Sequence, residues 1–177
     1  MKKLLGFAAL ALLAAAPSAA LAQSAMSATP LVMVGVGPHG YDWLIGTWSC
    51  VNSMPSPMGG PASQTLTVSR STAGTSLLVR VSGSGLDASG FVAYVPKTKT
   101  WWNPNASSSG DSGSESTTQT GKKTVWTGSY LSAASGKTTS IRDTYTLLST
   151  TKYTDLGQYQ SGGAWKTSAN TTCTKSM

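Results

Sequence analysis

Histidine occurs once in this chain of 177 residues, at position 39, and only six residues are acidic. A lone His ahead of the expected domain leaves Ser-His and Cys-His nucleophile systems without a base. The chain also holds just two cysteines, with no Cys-x-x-Cys pair. A tetrahedral Cys/His metal cage therefore has too few ligands. No basic cluster is present, because the positive charge is spread over Arg70, Arg80, Arg142 and scattered lysines. That spread removes the footprint of a nucleic-acid binder. Gly121-Lys122 has Ser116 where a phosphate loop needs its first glycine and Lys123 where it needs Ser or Thr, so no phosphate loop exists.

Long apolar runs are equally scarce. The one clear run, Leu4 to Ala16, is 13 residues long, short of the roughly 20 needed to span a bilayer. Lys2 and Lys3 precede it and Ala20-Leu21-Ala22 follows it, the layout of a secretory signal peptide cleaved near Ala22. No Cys sits at the cleavage site, where Gln23 follows Ala22, which argues against a lipid anchor. The expected organisation is a signal peptide over 1–22, a flexible leader over 23–40 and a single β-barrel domain over 41–177. The product is then periplasmic or secreted, with no stable membrane insertion and no nucleic-acid partner. In that oxidising setting an even pair, Cys50 and Cys173, reads as a disulfide.

What remains after residue 22 is hydroxyl-rich. Of 155 residues, 50 are Ser or Thr, while Leu, Ile, Val and Phe together number 23, about 15% against the roughly 20% below which disorder becomes the reading. Thirteen aromatic residues and a net charge of only +5 oppose disorder. Ser and Thr compete poorly in helices and suit the outer faces of strands. Short alternating runs predict ten strands: Leu44 to Val51, Gln64 to Arg70, Ser76 to Val81, Gly90 to Val95, Thr98 to Trp102, Ser114 to Thr120, Thr124 to Leu131, Thr138 to Leu148, Lys152 to Tyr159 and Ala164 to Thr174. Turn residues such as Ser161-Gly162-Gly163 separate them, so neighbours run antiparallel. Asn52 to Ala62 and Asn103 to Gly113 read as loops on composition.

Period-2 alternation assigns faces without saying which is inside. Leu77, Val79 and Val81 share one face, as do Trp126, Gly128 and Tyr130. Ile141, Asp143, Tyr145 and Leu147 share another, placing a carboxylate among apolar neighbours, which is costly unless it is satisfied. Trp101 and Trp102 must point to opposite sides, one into the core and the other to the surface or a pocket mouth.

The string Leu44-Ile45-Gly46-Thr47-Trp48 resembles the Leu-x-Gly-x-Trp opening of calycin-type barrels: lipocalins, fatty-acid-binding proteins, nitrobindins and small bacterial lipocalin-like domains of unknown function. The resemblance covers about ten residues. It implies an all-β, antiparallel up-and-down barrel of about 8–10 strands, with Gly46 bending the first strand and Trp48 plugging the closed end. The nitrobindin-type haem His has no counterpart after His39, and Arg142 and Tyr145 have opposite parity, unlike a carboxylate clamp. What the resemblance implies of function is a tendency to bind a small apolar or amphipathic ligand, without cofactor or metal. Trp126, Tyr130, Tyr145, Asp143 and Trp102 are the candidate ligand-binding residues. Two alternatives stand beside it: a carbohydrate- or surface-binding module using an exposed Trp, and a cavity isomerase using an Asp or Tyr of perturbed pKa.

Met26, Met33, Met54 and Met58 with His39 are of the soft-ligand type that suits Cu(I), but such thioethers more often cover apolar surface, so no metal is expected. Asp111, Gly113 and Glu115 alternate but lack the twelve-residue Ca²⁺ pattern.

Overall fold

Ten antiparallel strands close into a barrel in a computed structural model that describes residues 40–54 and 61–176. The expected signal peptide, the leader up to residue 39 and the centre of the Asn52–Ala62 loop lie outside the described residues. The strands are β1 (Gly46–Asn52), β2 (Ser63–Arg70), β3 (Ser76–Gly83), β4 (Leu86–Val95), β5 (Thr100–Ser107), β6 (Ser112–Thr117), β7 (Lys123–Leu131), β8 (Thr138–Ser149), β9 (Lys152–Ser161) and β10 (Ala164–Lys175). Each pairs with its sequence neighbours, and β1 also pairs with β10. No edge strand is left, which is how an all-β chain satisfies its backbone hydrogen bonds. All ten expected strands are present. Reversals such as Gly162-Gly163, where both φ angles are positive (59° and 79°), are the two-residue turns that match strand twist.

One expectation needs correction. Asn103 to Gly113 is mostly strand, because β5 continues through Ser107 and β6 begins at Ser112. Its inward positions, Asn103, Asn105 and Ser107, line a partly polar interior, so composition imitated a loop. Pro104 added to the impression. It has no N–H to donate, and the β4–β5 pairing lapses around it, between Gly90↔Asn105 and Ala93↔Trp102.

Aromatic packing closes one end. A 3-10 turn, Asp42–Leu44, leads into β1, held to the end of β2 by an Asp42–Arg70 ion pair of 2.7 Å. Trp48 is 0% exposed, and its Nε1 donates to the Leu44 carbonyl at 2.7 Å. Trp43 and Tyr153 pack edge-on to it at 6.3 and 5.0 Å, and Lys175 Nζ lies 5.1 Å from the centre of its ring. Tyr41 fills the other half of the layer against Trp101 and Trp126, at 4.8 and 5.2 Å. Gly46 has φ +131°, and a Cβ there would lie 2.5 Å from Lys175 Cε. Only glycine suits that bend.

Cys50 and Cys173 face each other in the β1–β10 register and are bonded, 123 residues apart in sequence. The bond crosses the seam where the first strand meets the last. In a chain-entropy account a loop of that length stabilises the fold by up to about 5 kcal/mol.

Replacing Trp48 with Ala should cost about 3–5 kcal/mol, read as a lowered urea midpoint at unchanged slope; a midpoint equal to wild type contradicts its role as plug. Cys50→Ala/Cys173→Ala should melt below the parent, and reductant should lower the parent's midpoint while leaving the double variant's unmoved.

Candidate functional site

Alternation resolves into an inside and an outside once the strands are paired. Leu77, Val79 and Val81 face in, whereas Leu78 is exposed. Trp126, Gly128 and Tyr130 face in, and so does the Asp143 and Tyr145 face of β8. Above the aromatic layer Val79, Val81, Tyr130, Asp143 and Tyr145 help to line a cavity of about 650 Å³. That is within the size range of small-molecule sites.

The cavity has two unlike walls. Leu66 from β2, Val79 and Val81 from β3 and Leu86 and Ala88 from β4 are apolar. Facing them, β6, β8 and β9 contribute Glu115, Asp143 and Asp155 with Tyr145 and Tyr153. Two inward glycines make room for the acids. Glu115 pairs with Gly128, and Asp143 pairs with Gly157. A Cβ at Gly128 would collide with the Ser114 carbonyl and Glu115 Cα, and one at Gly157 would lie 3.2 Å from Asp143 Oδ1. β10 bulges at Ser168, between Thr167 and Ala169, opposite Gly157, which turns the Ser168 side chain to the lumen. The cavity reaches the rim of the barrel at Ser109 and Asp111 in the β5–β6 connection. There Asp111 accepts from the Ala133 N–H at 2.8 Å and the Ser109 hydroxyl at 2.9 Å. These bonds hold its carboxyl below the usual range.

Inside, the electrostatics run the other way. Glu115 is 3% exposed; burial first, then the Asp143 charge, raises its pKa. Asp143 and Asp155 keep part of their surface open to the lumen, and burial raises both, with Asp143 acting further on Asp155. Glu115 and Asp143 are close enough for each to act on the other's ionisation, and burial opposes both carrying charge together. Glu115 Oε1 and Asp155 Oδ1 nevertheless have no hydrogen-bond partner. Burial also raises the tyrosines, with Asp155 the first-ranked charge acting on both Tyr145 and Tyr153. Among the described residues no Lys, Arg or His lines the cavity. Arg142 turns outward, donating to Gln158 Oε1 at 2.7 Å and lying 4.5 Å over the Trp165 ring.

The expected ligand-binding residues therefore separate. Tyr130, Tyr145 and Asp143 line the lumen. Trp126 sits in the aromatic layer below it, beside a small void of about 20 Å³ shared with Tyr41 and Tyr145. Trp102 lies on the outer surface against Phe91 at 5.4 Å, while Trp101 is the inward partner. Sequence reasoning missed Glu115 and Asp155. Their shared inward parity, with Thr117 and Gly113 and with Tyr153 and Gly157, was the available signal. Among the described residues no group of three His, Cys, Asp or Glu side chains is placed to hold a metal ion. The chain matches no protein-family model, and no curated protein matches it.

Three carboxyls with raised values make stability depend on pH with a definite sign. Unfolded, each releases its proton near pH 4; folded, each retains it to higher pH. The native state thus binds more protons in that window, and stability falls as pH rises through it. Asp111, with its lowered value, pulls weakly the opposite way. The urea midpoint should be higher at pH 5 than at pH 8. Asp155→Asn should raise the pH 8 midpoint, by about 1–3 kcal/mol for a buried group no longer facing ionisation, and should flatten the profile. A midpoint that climbs from pH 5 to pH 8 contradicts the buried cluster.

Proposed function

We propose that this chain is an exported barrel that binds a small amphipathic molecule in its lumen. The observation that carries the reading is the cavity of about 650 Å³ with one apolar and one polar, aromatic wall. A barrel of this size can be filled by its own side chains; here glycines at 90, 113, 128 and 157 face inward, and the space above the plug stays open. The disulfide supports the oxidising compartment that the leader sequence suggests. The aromatic side chains favour the lumen over the outer surface as the binding locus. Trp101 is consumed in the plug, Trp102 packs against Phe91, and Trp165 carries Arg142 across its ring.

A second reading, acid–base chemistry in the lumen, is favoured by the Glu115–Asp143 pair. Two carboxyls that resist ionising together supply an acid and a base side by side. Exchange of the α-proton of a bound ketone into deuterated water, lost in Asp143→Asn, would mark that chemistry.

The binding reading is tested by titrating 1-anilinonaphthalene-8-sulfonate and a dansyl-labelled alkyl probe into the purified chain. Saturable binding of at least one probe is expected, together with a raised melting temperature. Ala88→Trp, which fills the lumen from the apolar wall, should abolish both effects while the far-ultraviolet circular dichroism stays that of the parent. If neither probe binds and the melting temperature does not move, the lumen is structural and the proposal fails.

A further inference from the structure

The polar half of the lumen specifies the sign of what fits there. Glu115, Asp143 and Asp155 come from three strands of one wall, and among the described residues no cationic side chain lines the cavity to balance them. Arg142, the nearest candidate by sequence, is committed to the outer surface with Gln158 and Trp165. A natural core does not leave such groups unanswered without cause, since a buried acceptor without a partner costs stability. Glu115 Oε1 is such an acceptor on a side chain 3% exposed, and Asp155 Oδ1 is another. Both residues line the cavity. The missing partner is a donor, and next to carboxylates a charged donor gains most.

We infer that the lumen takes an amphipathic organic cation, a protonated amine seated among Glu115, Asp143 and Asp155 with its hydrocarbon part along Leu66, Val79 and Leu86. This rests on the lumen being a binding site and names the chemical class of its ligand. An ammonium offers three donors, enough for the open oxygens of Glu115 and Asp155 and for Asp143. The rings of Tyr145 and Tyr153, 5.9 Å apart, line the same cavity, and aromatic rings beside a cation add attraction where a face is turned to it. An alcohol supplies one donor and no charge. A fatty acid adds a further acid to a wall whose three carboxyls already resist ionising beside one another, a repulsion that low dielectric strengthens. A metal ion needs oxygens converging at about 2.0–2.6 Å, and no such group of three exists among the described residues.

Calorimetry on the full chain at pH 7 with octylamine, octanol and octanoate separates these ligands, which differ only in head group. Octylamine should bind at least about tenfold more tightly than octanol, and octanoate should be weakest. Amine binding should also release protons, seen as a heat that varies with the ionisation enthalpy of the buffer, because a cation favours the ionised form of the acids. The titratable groups facing it are Glu115 from β6, Asp143 and Tyr145 from β8, Tyr153 and Asp155 from β9, Tyr130 from β7, and Asp111 at the rim in the β5–β6 connection. Glu115→Gln and Asp155→Asn should bring the amine-to-alcohol ratio close to one, while Asp87→Asn on the outer surface keeps it. If either variant fails to fold, the parent's head-group series and its proton release still decide the matter. Equal affinities for the three, or a preference for octanoate, overturns the amine and leaves the binding lumen standing. No binding by any of the three, with no binding of the fluorescent probes, overturns the lumen itself.

Discussion

Everything in this barrel depends on the pairing of β1 with β10. Until that ladder forms, the sheet has two open edges and no interior, and the carboxyls on β6, β8 and β9 remain in water. Once it forms, the same acids lose their solvent, and the aromatic layer around Trp48 becomes a floor. The Cys50–Cys173 bond sits in this seam. It compensates for a core with few aliphatic residues, where Trp and Tyr supply most of the buried volume.

The fold was legible because its signals are local. Alternation along ten short runs, glycine-bearing turns and the Leu44-to-Trp48 string each depend on residues close in sequence, and each recurs in the structure. The site was legible only in part. Asp143 drew notice because one strand shows it flanked by Ile141 and Tyr145. Glu115 and Asp155 did not, since what makes them a cluster is register across four strands. That register is set by the β6–β7, β7–β8 and β8–β9 pairings, which place Glu115 beside Gly128 and Asp143 beside Gly157, and period-2 reading of single strands contains none of them. Asn103 to Ser107 was misread for a related cause: a strand that lines a polar cavity carries polar residues on its inner side, the reverse of the usual pattern.

The acid wall runs against stability. Amide or apolar replacements of similar volume would suit the folded state better near neutral pH, yet the chain concentrates half of its six acidic residues there. Such local disadvantage is characteristic of sites kept for what they bind or do, the cost being offset elsewhere in the fold. Here the offsets are visible in the plug, the disulfide and the uninterrupted ladder.

Charge is sorted by side of the sheet. The whole chain carries a formal +7, but among the described residues no basic side chain lines the lumen. At a distance a solute meets a net positive body, and at the end of its path it meets carboxyls. Dissolved salt screens the first field over about 10 Å at 0.1 M and reaches the second far less. A positively charged solute therefore enters faster as ionic strength rises, while its rate of escape stays nearly fixed. For a negatively charged one the outer field speeds encounter, and the inner wall turns it away. On the proposed binding reading, the outer surface would set the speed of approach and the lumen the choice of occupant.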